Sequence, residues 1–224
     1  PTMGSLHDGH VELIKKAPSN SLKIVSIYVN HLQFNEENDY INYPRNTEKD
    51  IDLCRTNSVD FVFIPDENFM ENLIDKSAID LPKFTRYMCG QTRSGHFLGV
   101  YKVVKFLFDI FNPNYACFGK KDFQQLLLIK YIVKTHFQNL KIIDVDTIRT
   151  KNNIALSSRL TKLSETSFNK ASLIYNTLLE IKNSLLKGNR FTNIKNNFIN
   201  KLKINGIDVE YIEHRLLDTL EESR

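Results

Sequence analysis

Four short runs rich in β-branched and aromatic residues constrain this chain more than anything else in it. They are Lys23-Ile24-Val25-Ser26-Ile27-Tyr28-Val29, Asp60-Phe61-Val62-Phe63-Ile64, Tyr115-Ala116-Cys117-Phe118 and Leu140-Lys141-Ile142-Ile143-Asp144-Val145. Nearly continuous apolar runs of this length suit strands buried on both faces. Between them, residues 97–111 and 122–137 carry apolar side chains on a helical period. Thr47-Glu48-Lys49-Asp50 opens another helix, with Thr47 as the expected cap and Asp50 at the third helical position. The polar stretch from Asn30 to Asn46 reads as a long loop. Strands alternating with helices predict an α/β fold, a mainly parallel sheet with helices on both faces. Ligands of such sheets sit at the carboxyl ends of the strands, so the loops that follow them deserve the closest reading.

The first such loop is Thr2-Met3-Gly4-Ser5-Leu6-His7-Asp8-Gly9-His10, followed by an apolar run at helical spacing, Val11 to Ala17. Two glycines let backbone approach a ligand, and two imidazoles stand three residues apart at the start of a helix. Free N–H groups and the helix dipole favour an anion there. The chemistry suggested is attack on a nucleotide α-phosphate with pyrophosphate leaving. Taken alone, the His-x-x-His pair fits a metal pair, a phosphate site or ordinary surface histidines equally well. Cys54, Cys89 and Cys117 show no C-x-x-C pairing, which argues against structural zinc. No strand precedes this turn, so a preceding segment is expected to belong to the protein.

Composition removes several classes of function. A net charge of +4 permits an anionic substrate without demanding nucleic acid, and there is no arginine-rich arm. Three scattered cysteines fit a reducing compartment, not a disulfide framework. No apolar run reaches membrane-spanning length. Beyond Arg159 the pattern changes to two amphipathic helical stretches, Ser164 to Leu186 and Phe191 to Leu202, rich in Lys and Asn. Two domains are therefore expected. Residues 1–159 form a Rossmann-like nucleotide- and substrate-binding domain, and residues 160–224 a smaller α+β domain, expected to be incomplete because Thr219 to Arg224 end without a closing strand.

Four further segments complement the histidines. Asn30 and Gln33 follow a buried strand, where neutral amides can read hydroxyl and carboxylate groups, although an ordinary polar loop explains them equally well. Arg93-Ser94-Gly95-His96 holds an arginine suited to phosphate at a helix start, against the alternative of a solvated turn. In Gly119-Lys120-Lys121-Asp122-Phe123-Gln124-Gln125, Gly119 admits a nucleotide and one lysine neutralises phosphate; Lys120 is better read as solvated. Asp122 can cap a helix or help hold hydrated magnesium, and Gln125 can face a substrate. Leu156-Ser157-Ser158-Arg159 offers two hydroxyls and a guanidinium for β- and γ-phosphates; alone it reads as a cap beside a surface arginine.

In this order, with Tyr43-Pro44-Arg45 and Asp60–Pro65 between them, these motifs resemble the pantothenate synthetase (pantoate–β-alanine ligase) family from Pro1 to about Leu160. That family lies in the nucleotidylyltransferase superfamily, whose His-x-Gly-His signature is shared with class I aminoacyl-tRNA synthetases. The resemblance implies that pantoate attacks ATP to give pantoyl adenylate and pyrophosphate, and that β-alanine then displaces AMP. It implies catalytic roles for His7, His10, Lys121 and Arg159, with His10 as proton donor. It implies ATP contacts from Met3, Gly4, Ser5, Leu6, His7, Asp8, Gly9, His10, Gly119, Lys120, Lys121, Asp122, Ile148, Leu156, Ser157, Ser158 and Arg159. Pantoate and β-alanine fall to Asn30, Gln33, Arg93 and Gln125. It further implies Mg2+ with the phosphates, near Asp122, and a cytoplasmic homodimer with no nucleic-acid or membrane partner.

Several positions depart from that pattern. His31 and Ser94 stand where the family usually has proline, Thr150 where glutamate is common, Asn152-Asn153-Ile154 for Asp-Gly-Leu, and Leu160 for asparagine. They leave two rival readings. One is another adenylating nucleotidylyltransferase, which the Asn30, Gln33 and Gln125 set argues against. The other is a non-catalytic or decayed nucleotide-binding homologue.

Overall fold

The computed structural model describes residues 1–74 and 77–223. The chain divides into two compact units, Pro1–Ile148 and Arg149–Arg224. The division falls earlier than the composition change suggested. The reason is local: Arg149 lies over the Tyr175 ring at 3.5 Å, and Asn153 bonds Asn176 at 3.2 Å, so residues from 149 onward pack with the later helices.

The first unit contains the strand–helix alternation. Strand β1 (Ile24–Ser26) runs parallel to β2 (Phe61–Phe63), and β3 (Tyr115–Gly119) runs parallel to β4 (Lys141–Val145). Among the described residues these are two separate two-stranded ladders, where one continuous sheet was expected. Thr2 adds a parallel bridge to Ile27: its N–H donates to Ser26 O at 2.8 Å, and Tyr28 N–H donates to Thr2 O at 3.0 Å. Extended backbone thus lies beside β1 immediately ahead of the glycine turn. The short strands stop where their chains turn aside into loops, and those loops carry the polar residues of interest.

Helices α1 (Asp8–Lys16), α2 (Glu37–Ile41), α3 (Thr47–Thr56), α4 (Glu67–Leu73), α5 (Cys89–Thr92), α6 (His96–Phe111) and α7 (Phe123–His136) complete the unit. Ile14 of α1 packs with Val25, Ile27 and Cys54, pinning α1 and α3 to β1. Helix α6 is apolar nearly all round, as a core helix should be; Phe97, Val100, Tyr101, Val104 and Phe108 pack with Leu126, Leu128, Ile129 and Ile132 of α7. It ends at Asn112 in the left-handed region, before Pro113. The cap of α3 is Asn46, one residue ahead of the expected Thr47: its side chain accepts from Lys49 N–H at 3.2 Å. The expected long loop after β1 holds a 3-10 turn, His31–Gln33, and α2. Helix α2 is five residues of polar sequence without a side-chain cap, so periodicity gives it no signal.

In the second unit, α8 (Glu165–Leu186) and α9 (Phe191–Ile204) bury Ile181 and Leu202 against Ile212. The β part expected of this region is reduced, among the described residues, to the antiparallel bridges Arg149 with Ala155 and Arg215 with Glu222.

Candidate active site

The start of α1 is built by its two histidines. His7 is the cap, and its Nδ1 accepts from Gly9 N–H at 3.1 Å; His10 Nδ1 accepts from His7 N–H at 3.2 Å. This is a capping box in which imidazoles replace the usual hydroxyl and carboxylate. The ring centroids lie 4.1 Å apart. An Nδ1 that accepts carries no proton, so each neutral ring holds its hydrogen on Nε2. Burial lowers the pKa of both histidines, and the positive charge of Lys121 lowers both further. For His10 the result is about 3, after burial and the neighbouring His7. The pair therefore offers two neutral N–H donors beside a lysine at a helix N-terminus, an arrangement suited to phosphate oxygens.

A buried carboxylate holds the turn ahead of them. Asp50 of α3 is 3% exposed. Its oxygens accept from Ser5 N–H at 2.8 Å and Leu6 N–H at 2.7 Å. Gly4 (φ 80°) and Ser5 (φ 50°) both lie in the left-handed region. A Cβ on Gly4 would stand 3.0 Å from Asp50 Oδ2 and 3.1 Å from Ile27 Cγ2, so glycine is required there by conformation and by space. Sequence reasoning placed Asp50 in a helix start and missed this role. The signal available was weak: an acidic residue beyond the cap, on a helix that must pack against a strand.

At the end of β1, Asn30 is 2% exposed and fully engaged. Its Nδ2 donates to Gln33 Oε1 and to Gly99 O, both at 3.1 Å, while its Oδ1 accepts from Leu32 N–H at 3.1 Å. His96 Nδ1 bonds Gln33 O at 2.8 Å. Gly99 permits this junction, since a Cβ there would meet Leu32 C and O at 2.5 Å. Gln33 is thus held by side chain and backbone, and its Nε2 is not used by any hydrogen bond among the described residues. Asn30 positions Gln33 and has both amide hydrogens engaged.

The loop after β3 sorts its polar residues by partner. Lys120, expected to be solvated, pairs with Asp146 at 2.7 Å. Lys121 Nζ lies 3.2 Å from both Asp122 oxygens. Gln124 is buried, donating to Phe84 O and Tyr87 O at 2.7 Å and accepting from Cys89 N–H at 3.2 Å. Its neighbour Gln125 makes no hydrogen bond among the described residues, leaving its amide available. Asp122 is a poor fit for the magnesium expected near it. Its two oxygens already face one ammonium, that of Lys121.

The other expected residues lie on other elements. Arg93 and Ser94 are exposed and line a cavity of about 330 Å³ with Thr85, Arg86, Gly95 and Phe97. Ile148 closes the first unit. Leu156, Ser157, Ser158 and Arg159 belong to the second, where Ser157 Oγ accepts from Arg159 N–H at 3.2 Å and Ser158 is buried. In the same unit Asn153 takes φ 65°, a conformation asparagine tolerates better than most residues, which explains how it serves where the resemblance has glycine.

Comparison with known proteins identifies the family. The pantoate-beta-alanine ligase family model matches residues 1–224. A pantothenate synthetase of Neisseria meningitidis serogroup C is 39% identical over 227 residues, covering 100% of this chain and 82% of its own. One from Buchnera aphidicola is 42% identical over 200 residues, covering 88% of this chain and 70% of its own. The crystal structure of the enzyme from Thermus thermophilus superposes with a TM-score of 0.87 at 32% identity, over 100% of this chain and 82% of that one. That of the Francisella tularensis ligase, complexed with beta-gamma ATP and beta-alanine, gives 0.82 at 37% identity, over 96% of this chain and 79% of that one. The chain therefore belongs to the pantoate-beta-alanine ligase family.

Proposed function

We propose that the chain condenses pantoate with β-alanine in two steps at the carboxyl ends of its parallel strands. In the first, a pantoate carboxylate oxygen attacks the ATP α-phosphorus, and the bond from that phosphorus to the bridging oxygen of pyrophosphate breaks. Pantoyl adenylate forms and pyrophosphate leaves. In the second, the β-alanine amine attacks the acyl carbon, AMP leaves with the electron pair of the C–O bond, and the amine loses a proton. Adenylation is needed because oxide is a far poorer leaving group than AMP.

The reciprocal histidine cap is the observation that carries this reading. His7 and His10 present neutral Nε2–H donors, and Lys121 adds a positive charge. Together they stabilise charge that grows on the phosphate oxygens, with no reorganisation at the moment of reaction. In this reading His10 donates a hydrogen bond and is not an acid, since its imidazole is already neutral. Gln33 Nε2 and the Gln125 amide recognise pantoate; Asn30, His96 and Gly99 hold Gln33 in place. Magnesium enters with ATP as part of the substrate, held by phosphate oxygens. The assembly is a cytoplasmic homodimer; no helix of the described residues is long and apolar enough to cross a membrane.

The test is pantoate-dependent exchange of labelled pyrophosphate into ATP, followed by addition of β-alanine. Exchange with pantoate alone, then pantothenate and AMP in equal amounts after the amine is added, is the expected result. ATP binding without exchange would make the chain a nucleotide-binding homologue. Exchange that another carboxylic acid supports better than pantoate would change the substrate.

A further inference from the structure

Outside the residues given to ATP and pantoate, three metal-ligating side chains converge. His31, Glu67 and Glu71 each offer a donor atom, and these atoms lie within 4.8 Å of one another. His31 belongs to the 3-10 turn after β1, and the glutamates sit four residues apart on α4. That spacing puts both carboxylates on one helix face. His31 Nδ1 is 3.2 Å from Glu67 Oε1, and its Nε2 is 3.9 Å from Glu71 Oε1. Two phenols border the group: Tyr28 Oη is 3.5 Å from His31 Nδ1, and Tyr40 donates to Glu67 Oε1 at 3.4 Å. Among the described residues, no lysine or arginine pairs with either glutamate.

We propose that His31, Glu67 and Glu71 form a binding site for one divalent ion of the zinc class. One imidazole nitrogen with two carboxylates is a donor set suited to Zn2+ or Co2+, whereas Mg2+ prefers all-oxygen octahedral sites. Ligand atoms about 2.1 Å from a tetrahedral ion stand about 3.4 Å apart. His31 Nδ1 and Glu67 Oε1 already have that separation. Glu71, half exposed, has an oxygen 3.9 Å from His31 Nε2, and the three donor atoms lie within 4.8 Å of one another. Three protein ligands leave a fourth position for water. Bound there, the ion ties the turn that carries Gln33 to α4. Any effect on pantoate affinity rests on the role given to Gln33 above; binding of the metal does not.

Equilibrium dialysis of the chelator-stripped chain against Zn2+, with Co2+ absorption as a spectroscopic readout, tests the site. One ion per chain is expected at micromolar free metal, with d–d bands of a four-coordinate site. His31→Ala and the double change Glu67→Gln with Glu71→Gln should each weaken binding at least about tenfold. All these positions are partly or largely exposed, and circular dichroism verifies that each variant is folded. His10→Ala should bind as the parent does. Stoichiometric binding that survives His31→Ala, or that disappears in His10→Ala, would move the ion to the histidine pair and overturn the proposal. Absence of stoichiometric binding would overturn it too, leaving an ion-pair cluster only. Pyrophosphate exchange is measured separately, so failure of the ligase reading leaves the metal result standing.

Discussion

Replacing Asp50 by asparagine is the sharpest probe of how the histidine turn is built. In the native chain one buried carboxylate accepts from two backbone N–H groups, Ser5 at 2.8 Å and Leu6 at 2.7 Å. Hydrogen bonds to a charged acceptor contribute about 1.5–3 kcal/mol each. Asparagine keeps the shape and one acceptor oxygen, but turns an NH2 toward the second amide. One charge-assisted bond is lost, and one buried N–H faces another donor at a further cost of about 1–3 kcal/mol. The loss of stability should be about 2.5–6 kcal/mol, a large share of the roughly 5–15 kcal/mol typical of a domain. The clamp also holds Gly4 and Ser5 at positive φ, and for Ser5 that conformation costs about 1–2 kcal/mol. With the clamp weakened, the turn relaxes and the Nε2–H pair loses its aim. Urea unfolding measures the first effect. Pyrophosphate exchange measures the second, at a temperature where the variant is fully folded, and should fall with turnover hit harder than ATP affinity. A variant within about 0.5 kcal/mol of the parent, with unchanged exchange, would refute the clamp.

Three further outcomes are expected. His10→Ala should lower pyrophosphate exchange by at least about 10²–10³, the usual effect of removing one donor to developing charge; a folded variant with near-normal exchange sinks the phosphate role. Gly99→Ala decides between opposing effects, because helix propensity alone favours alanine by about 0.5–1 kcal/mol. Its Cβ would stand 2.5 Å from Leu32 backbone atoms, so a net destabilisation of about 1–3 kcal/mol is expected by urea unfolding, with a raised KM for pantoate; a stabilised variant overturns the close approach. The pH dependence follows from His10, whose folded pKa of about 3 lies below the ordinary 6.5. Between those values the unfolded chain binds a proton that the folded chain does not, so this contribution is complete above pH 6.5 and shrinks as pH falls toward 3. Unfolding free energies from urea titrations at pH 8.5, 7.5 and 5.5 should be level across the upper interval and drop across the lower one, by about 1.4 kcal/mol. A level profile throughout means that His10 is not held neutral by burial.

Much of the site was legible because its residues sit in short contiguous motifs beside strong strand signals. The runs containing β1, β2, β3 and β4 were readable from β-branched content, and the long core helices from their period. What escaped was decided by contacts between distant segments. Asp50 looked like a helix-start acid because nothing local says that its carboxylate meets residues 44 and 45 positions earlier. Gln124 and Gln125 are chemically identical, and only the packing of α7 under the Phe84–Cys89 turn decides which one is buried and engaged. Asn30 read as a substrate ligand because its type fits one; its bonds to Gln33, Leu32 and Gly99 depend in part on an element 69 residues away. The unit boundary moved for the same reason, since Arg149 stacks on a ring 26 positions later.

The mutual cap of His7 and His10 has one more consequence. Each ring spends its inner nitrogen on the backbone and keeps its outer hydrogen for whatever docks, so the fold nucleus of α1 and the catalytic surface are a single object. Serine in either place would preserve the helix start and lose the outward reach; lysine would add a charge and leave the backbone N–H groups without an acceptor. Drift at this corner of the protein is therefore closed off one residue at a time.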